Sequence, residues 1–148
     1  MKIYLGADHA GFNLKEQVQT FLESKGYDVE DCGDTVYEAS DDYPDYVGLV
    51  AAKVAEAPDE RKGIIFGWSG QGEAMVANRY KGVRAALYAG GSEEIITLSR
   101  QHNNANVLSL GAHFVQAEEA FRLITLWLST KFSLDERHER RIEKIDQQ

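Results

Sequence analysis

Residues 63–76 read Gly-Ile-Ile-Phe-Gly-Trp-Ser-Gly-Gln-Gly-Glu-Ala-Met-Val. An apolar run typical of a buried strand leads into a glycine-rich turn, and Glu73 stands where a helix is expected to begin. Glycine permits tight turns and a close approach of the backbone to a ligand, and the free N–H groups at a helix start favour negative charge. A loop that stabilises an anion beside a carboxylate can move protons on a substrate that becomes anionic. The stretch therefore favours an enzyme over a plain binding domain.

Two common nucleotide-binding loops do not fit this stretch. A Rossmann fingerprint requires Gly-x-Gly-x-x-Gly/Ala, but counting from Gly70 the third position is Met75. The next predicted strand also ends without the acidic residue that would bind a ribose. A Walker loop requires Gly-Lys-Ser/Thr, which is absent from the sequence. An ordinary strand-to-helix turn, in which glycine serves only the geometry, stays open as the alternative for this loop alone.

The composition narrows the class of protein. The chain has 148 residues, 43% of them hydrophobic, which fits a single domain over residues 1–148 with a real core. No apolar run reaches the roughly 18 residues of a membrane span, and the charged start predicts a cytoplasmic protein without a leader. The net charge of −8 argues against nonspecific nucleic-acid binding. Cys32 is the only cysteine, so it cannot form an intrachain disulfide and is expected to be structural.

Short apolar runs alternate with amphipathic stretches along the whole chain. The predicted strands are 3–6, 27–32, 63–66, 83–88 and 107–111, and the predicted helices are 12–24, 44–56, 72–80, 92–102, 117–130 and 135–146. Five short strands separated by helices predict a three-layer α/β/α, Rossmann-like fold with a five-stranded parallel sheet.

Polar residues follow four of the five predicted strands. They are Asp8 and His9 after the first, Asp41, Asp42 and Tyr43 after the second, Ser69 and Glu73 after the third, and His113 after the fifth. Ligands of parallel α/β sheets bind at the carboxyl ends of the strands, so these side chains are expected on one rim. A lone histidine is more often a surface or capping residue, but several converging groups indicate a site.

The C-terminal stretch Arg137-His138-Glu139-Arg140-Arg141 holds the basic cluster of this acidic chain. Arg137 and Arg141 are four residues apart and share one face of the predicted helix 135–146. Paired guanidinium groups suit a phosphate. For the cluster taken alone, a solvated helix with Glu–Arg pairs is the alternative.

Motifs along nearly the whole chain resemble those of the type B ribose-5-phosphate isomerases and the related galactose- and allose-6-phosphate isomerases. The matching pieces are Gly6-Ala7-Asp8-His9-Ala10-Gly11, Asp42-Tyr43-Pro44-Asp45, Gly70-Gln71-Gly72-Glu73, Ala77-Asn78-Arg79, Gly82-Val83-Arg84-Ala85-Ala86, Leu98 to Asn106, and Arg137-His138-Glu139-Arg140-Arg141-Ile142. The resemblance implies an aldose–ketose isomerase that needs no cofactor or metal. It would interconvert ribose 5-phosphate and ribulose 5-phosphate through an enediolate.

The resemblance also implies a base. Many members of the family have a cysteine at the position of Gly67, whereas another branch uses a glutamate later in the loop, and Glu73 matches that glutamate. Further implied roles are hydroxyl proton transfer by Ser69 and Asp8, ring opening by His102, and oxyanion stabilisation by the loop amides of Gly70, Gln71 and Gly72. The implied phosphate ligands are His9, Arg137 and Arg141, and the other implied substrate-binding residues are Tyr43, Asn103 and His113.

The implied assembly is a homodimer or a dimer of dimers in which His102 and Asn103 act in the partner's site. Two positions depart from the family pattern: Trp68 stands where the glutamate branch usually has a second glycine, and His113 where the family usually has an arginine. These departures keep two alternatives open. One is an isomerase of a hexose 6-phosphate or a tetrose 4-phosphate, and the other is a sugar-phosphate-binding protein without catalysis.

Overall fold

Five strands and six helices alternate along the described part of the chain, residues 1–33 and 36–148, in the computed structural model. The strands are β1 (Lys2–Ala7), β2 (Asp28–Asp31), β3 (Arg61–Gly67), β4 (Ala85–Tyr88) and β5 (Val107–Gly111). The helices are α1 (Phe12–Ser24), α2 (Tyr43–Ala55), α3 (Gln71–Ala77), α4 (Glu94–Asn103), α5 (Ala117–Ser129) and α6 (Glu136–Asp146). All strand pairs are parallel, in the order β2-β1-β3-β5-β4, which confirms the predicted sheet. Among these helices, none is both long and apolar enough to cross a membrane.

Helices cover both faces of the sheet because successive strand residues point to opposite sides. In β3, Ile64 and Phe66 pack into the core formed with α1, α4 and α5, which also buries Trp127. Ile65, between them, packs into the second core with α2 and α3. Both layers bury continuous apolar surface, and this burial is the main contribution to the stability of the fold. The three-layer α/β/α prediction is therefore confirmed.

Two predicted boundaries differ from the structure for the same kind of reason. The helix predicted at 72–80 ends at Ala77 because the Asn78 side chain binds the backbone of β4. Asn78 Nδ2 donates to the carbonyl oxygen of Ala85 at 3.1 Å, and the N–H of Ala85 donates to Asn78 Oδ1 at 2.8 Å. The strand predicted at 83–88 begins at Ala85 because the N–H of Arg84 donates to the Asn106 side chain at 2.8 Å. The other predicted elements agree with the structure within two residues at each end.

Strand β4 forms one edge of the sheet and carries an apolar surface. Ala85, Ala86 and Leu87 are only half-buried there, and Met75 of the adjacent α3 is 65% exposed. An edge strand presents a row of N–H and C=O groups to any chain that approaches it. This apolar edge lies beside the loop that carries Glu73.

Candidate active site

The carboxyl ends of β1 and β3 form a crevice where the strand order reverses. The chain runs from β1 to its neighbour β2 on one side, and then crosses over to β3, the neighbour of β1 on the other side. In open α/β sheets, ligands bind outside the carboxyl ends of the strands at such a point. Asp8 and His9 follow β1 directly, and Trp68 and Ser69 follow β3. Residues predicted from the sequence therefore line this crevice.

The carboxylate of Glu73 lies against the α-carbon of Gly67. A β-carbon built on Gly67 would overlap Oε1 of Glu73 and lie 2.7 Å from Oε2. Glu73 is buried in the first turn of α3, with 4% of its surface exposed. Burial raises the pKa of Glu73, and the nearby charge of Asp8 adds to the rise. A carboxyl group with a raised pKa at a sheet edge is suited to accept a proton from carbon.

The loop before Glu73 turns on Gly70, which has a φ of 75°. A side chain at that position would be strained by the backbone angle, and its β-carbon would lie 2.7 Å from Cδ1 of Leu87. This turn starts α3 at Gln71, whose N–H donates to Ser69 Oγ at 3.3 Å. Tyr43 covers the same loop, because a β-carbon on Gly72 would lie 2.6 Å from the Tyr43 hydroxyl. The backbone N–H groups of the loop and the Ser69 hydroxyl therefore surround the start of α3.

Asp8 and His9 are held by separate sets of hydrogen bonds. Asp8 is buried, and its Oδ1 accepts from the N–H groups of Ala10 at 3.0 Å and Gly11 at 3.3 Å. His9 Nδ1 is 2.5 Å from Asp41 Oδ1, which also accepts from the His9 N–H at 3.1 Å. The hydrogen bond to Asp41 raises the pKa of His9, and the charges of Asp8 and Asp41 contribute. His9 therefore favours the imidazolium form, in which Nε2 can donate to an anion.

The same three residues bring together groups that can bind a metal. One ligand atom each from Asp8, His9 and Asp41 lies within 4.8 Å of the others. Two ligands of one cation lie about 3 Å apart at ordinary bond lengths. The 2.5 Å between His9 and Asp41 is a hydrogen-bond distance instead. The arrangement fits a carboxylate that orients a histidine, and the absence of a metal requirement stays a prediction.

Trp68 and His113 form an aromatic stack beside the crevice. Their ring centroids are 4.0 Å apart and their planes differ by 14°. The backbone joins them as well, since the His113 N–H donates to the Trp68 carbonyl at 3.1 Å. Phe114 meets His113 edge-on at 5.0 Å, and 59% of Trp68 is exposed. The two residues that depart from the family pattern are thus in direct contact.

Four of the predicted site residues lie on the opposite side of the sheet from the crevice, near the amino ends of the strands: His102, Asn103, Arg137 and Arg141. Helix α4 returns towards that edge, where Arg84 Nε, just before β4, donates to the Asn103 carbonyl at 3.1 Å. Arg84 also binds Asp146, in the last turn of α6, at 3.3 Å. Arg137 and Arg141 are exposed on α6.

One chain does not bring Glu73 and His102 together. The carboxyl and amino ends of the strands are separated by a strand length, which for the five residues of β5 is roughly 15 Å. The carboxyl ends of the strands carry the other group: Asp8, His9, Tyr43, the loop from Ser69 to Glu73, and His113. A site that uses both groups of residues therefore requires a second copy of the chain.

The sequence did not assign functions to two residues that contact the predicted site. Asp41 was placed on the rim, but nothing in its spacing from His9 indicated the hydrogen bond between them. His138 is buried and stacks on His102 with ring centroids 4.2 Å apart. Its position next to Arg137 was the only signal, because the contact joins two helices far apart in sequence.

Comparisons with known proteins identify relatives of this fold. The ribose-5-phosphate isomerase B of Mycolicibacterium paratuberculosis is 41% identical over 143 residues, which cover 97% of this chain and 88% of that protein. The crystal structure of ribose-5-phosphate isomerase B from Mycoplasma genitalium with bound ribulose 5-phosphate has a TM-score of 0.93 at 41% identity. That alignment covers 99% of this chain and 94% of the other.

A second solved structure gives the same result. The ribose 5-phosphate isomerase from Thermotoga maritima has a TM-score of 0.90 at 44% identity, covering 99% of this chain and 98% of that chain. Residues 3–145 match the sequence family described as Ribose/Galactose Isomerase. The similarity extends over the whole fold and includes both edges of the sheet, so this chain belongs to the Ribose/Galactose Isomerase family.

Proposed function

We propose that this protein interconverts ribose 5-phosphate and ribulose 5-phosphate, with Glu73 as the base that moves the proton between C2 and C1. The observation that carries the proposal is the buried Glu73 carboxylate, which occupies the space next to Gly67 at the crevice between β1 and β3. Relatives with about 40% identity are ribose-5-phosphate isomerases, and one of them binds ribulose 5-phosphate. The reaction requires such a base, because the proton on C2 of the aldose must leave and return at C1.

In the forward direction, Glu73 takes the proton from C2 of the open-chain aldose. The electron pair of the C–H bond forms the C1–C2 double bond, and the negative charge moves to O1. Glu73 then returns the proton to C1 while the hydroxyl proton of O2 passes to O1, which gives the ketose. A raised pKa favours Glu73 in both steps, since it must accept and then release the same proton near neutral pH.

The oxygen atoms of the enediolate need stabilisation and a route for their protons. The N–H groups of residues 69–73 surround the start of α3, where each well-aimed donor stabilises such an anion by roughly 3 kcal/mol. Asp8 and Ser69 flank the same crevice, and we assign to them the transfer of the hydroxyl proton between O1 and O2. These donors and acceptors are part of the protein, so no cofactor enters the proposed reaction.

The phosphate is assigned to positive groups from both edges of the sheet. His9 is held near the crevice by Asp41 and favours the charged form. Arg137 and Arg141 supply permanent charges from the partner subunit, and Asn103 of the same group would bind the sugar. His113 and Tyr43 line the remaining side of the crevice. Phosphorylated sugars do not cross membranes unaided, so we also place the protein in the cytoplasm, with its substrate.

The shared site requires a homodimer, and the apolar edge formed by β4 and α3 supports one. We propose that two copies meet along this edge about a two-fold axis perpendicular to the strands, the usual symmetry of a dimer. Such an axis sets the carboxyl edge of one sheet beside the amino edge of the other. His102 and Arg137 of one copy would then approach Glu73 of its partner. A dimer of dimers would keep the same pairing.

The test is an assay of the purified protein with phosphorylated aldoses of four, five and six carbons, with product identified by NMR. We expect the highest kcat/KM with ribose 5-phosphate, and loss of turnover with retained binding in Glu73→Gln. Binding without turnover by the wild-type protein would identify a sugar-phosphate-binding protein instead. A higher kcat/KM for a tetrose 4-phosphate or hexose 6-phosphate would reassign the substrate but keep the chemistry.

A further inference from the structure

His138 contacts two residues that are expected to have separate roles, ring opening for His102 and phosphate binding for Arg137. It is 3% exposed in α6, and its ring stacks on that of His102 in α4, with centroids 4.2 Å apart and planes 14° apart. On its other side, Arg137 Nε donates to His138 Nε2 at 3.3 Å. We propose that His138 is a positioning residue that orients the His102 ring by stacking and the Arg137 guanidinium by accepting its hydrogen bond.

The hydrogen bond defines the form of the His138 ring. A guanidinium group has donors only, so in this hydrogen bond Nε2 is the acceptor and the ring proton is on Nδ1. Asp135 Oδ2 is 3.7 Å from the same Nε2, beyond hydrogen-bond distance. Burial lowers the pKa of His138, and the neighbouring His102, Arg137 and Arg141 lower it further, whereas Asp135 acts in the opposite direction. These effects favour the neutral ring, which adds no positive charge beside His102.

The consequence follows from two roles, the ring opening that the family resemblance implies for His102 and the phosphate binding proposed for Arg137, and this inference rests on the proposed function. His102 donates a proton to the ring oxygen of the sugar, which requires a fixed ring orientation. Arg137 binds the phosphate at the other end of the same substrate. One buried side chain holds both, so the distance between proton donor and phosphate ligand is set within one subunit before the partner's site receives them. Prior orientation of this kind reduces the barrier to reaction.

Two substitutions separate the two contacts. His138→Phe keeps an aromatic ring for the stack but removes the acceptor, so we expect KM for ribose 5-phosphate to rise about fivefold with kcat nearly unchanged. His138→Gln keeps an acceptor for Arg137 but removes the stack, so we expect kcat to fall about tenfold with KM nearly unchanged. Phe121→Ala is the matched control, because it removes a ring from the Phe21–Phe121 stack, which is distant from the proposed site.

A second measurement does not depend on activity. The proton NMR signal of the His102 ring, assigned with His102→Gln, carries a ring-current shift from His138. We expect His138→Phe to keep a ring-current shift at His102, and His138→Gln to abolish it.

The proposal is overturned if His138→Phe and His138→Gln change kcat and KM in the same proportion. It is also overturned if the His102 signal is the same in the parent and in both variants. Absence of turnover by the wild-type protein would refute the proposed function instead, and the NMR result would still decide whether His138 orients His102.

Discussion

The indole of Trp68 and the imidazole of His113 lie face to face, 4.0 Å apart, above the loop that follows β3. Relatives of this chain are expected to have a glycine and an arginine at these positions. The contact joins the two predicted departures in one stacked aromatic pair, at positions where a small residue and a long cation are expected in relatives. We expect the bulk of this pair to limit the room for a sugar chain.

The first prediction concerns substrate length. Trp68→Gly removes the indole, so kcat/KM for a hexose 6-phosphate relative to ribose 5-phosphate should rise about tenfold, a typical value for one carbon in a pocket. Competition assays with both sugars measure the ratio. Phe114→Ala is the control, because Phe114 is similarly exposed and contacts His113 from another side. An unchanged ratio would show that the stack does not border the sugar.

The second prediction concerns the Glu73 base. Glu73→Gln keeps the size of the side chain, and turnover should fall by a factor of about 10² to 10⁴ while substrate binding persists. The acidic limb of kcat/KM in the parent should lie above the ordinary pKa range of a carboxyl group, because burial raises the pKa of Glu73. Activity within tenfold of the parent would exclude Glu73 as the base.

Glu73→Gln is also expected to change the stability of the fold in a pH-dependent way. A raised pKa means that the folded protein binds the Glu73 proton more tightly than the unfolded chain, so ionisation of Glu73 destabilises the fold as pH rises. Glu73→Gln should therefore unfold at higher denaturant concentration than the parent at pH 8. The difference should disappear below the unfolded pKa of about 4.3. Glu94→Gln, at an exposed position, is the control for removal of one negative charge.

The third prediction uses the contact between Gly67 and Glu73. Gly67→Ala places a methyl group where the carboxylate lies, so it should displace Glu73 and reduce kcat at least tenfold. A double-mutant cycle provides the control. In the Glu73→Gln background the residual kcat should change less than in the parent, because the base is already lost. Equal factors in both backgrounds would mean that Gly67→Ala acts through something other than Glu73.

The fourth prediction is complementation between subunits. Glu73→Gln and His102→Ala homodimers should each be nearly inactive. After random subunit exchange, half of the dimers are hybrids with one intact site, so about a quarter of the parent activity should return. Glu73→Gln mixed with Asp8→Asn is the control, because both changes lie at the same edge and leave no intact site. No recovery in the first mixture would place Glu73 and His102 in the same subunit's site.

The fifth prediction concerns Cys32. Burial, with help from Glu30 and Asp31, raises the pKa of its thiol to about 11. At pH 8 the thiol is therefore protonated and unreactive. Iodoacetamide at that pH should leave the activity intact, and mass spectrometry should find Cys32 unmodified. Rapid inactivation with one alkyl group per chain would contradict the assignment of the reaction to a carboxylate.

The fold could be predicted from the sequence to a large extent because its signals are local. Apolar runs and helical spacing located all the strands and helices of the described part of the chain. The insertion of β5 between β3 and β4 could not be predicted, since it depends on how distant segments pair. The end of α3 at Ala77 was missed for the same reason, because Asn78 is held by β4.

For the site, too, local features could be predicted from the sequence and contacts between distant segments could not. The residues after each strand could be located because parallel strands end at a common edge. The hydrogen bond between His9 and Asp41 and the stack between His102 and His138 join segments more than thirty residues apart in the sequence. Spacing along a chain carries no information about such contacts. The overlap of Glu73 with the position of a side chain at Gly67 was likewise visible only in three dimensions.

That overlap has a consequence for descent within the family. On the proposed assignment of Glu73 as the base, a side chain added at position 67 displaces that base, because the two need the same space. Loss of Glu73 first would leave no base at all. We therefore expect exchange of the glutamate base for a cysteine at position 67 to involve paired changes, so that the residue at position 67 marks the ancestry of a sequence more reliably than its overall identity.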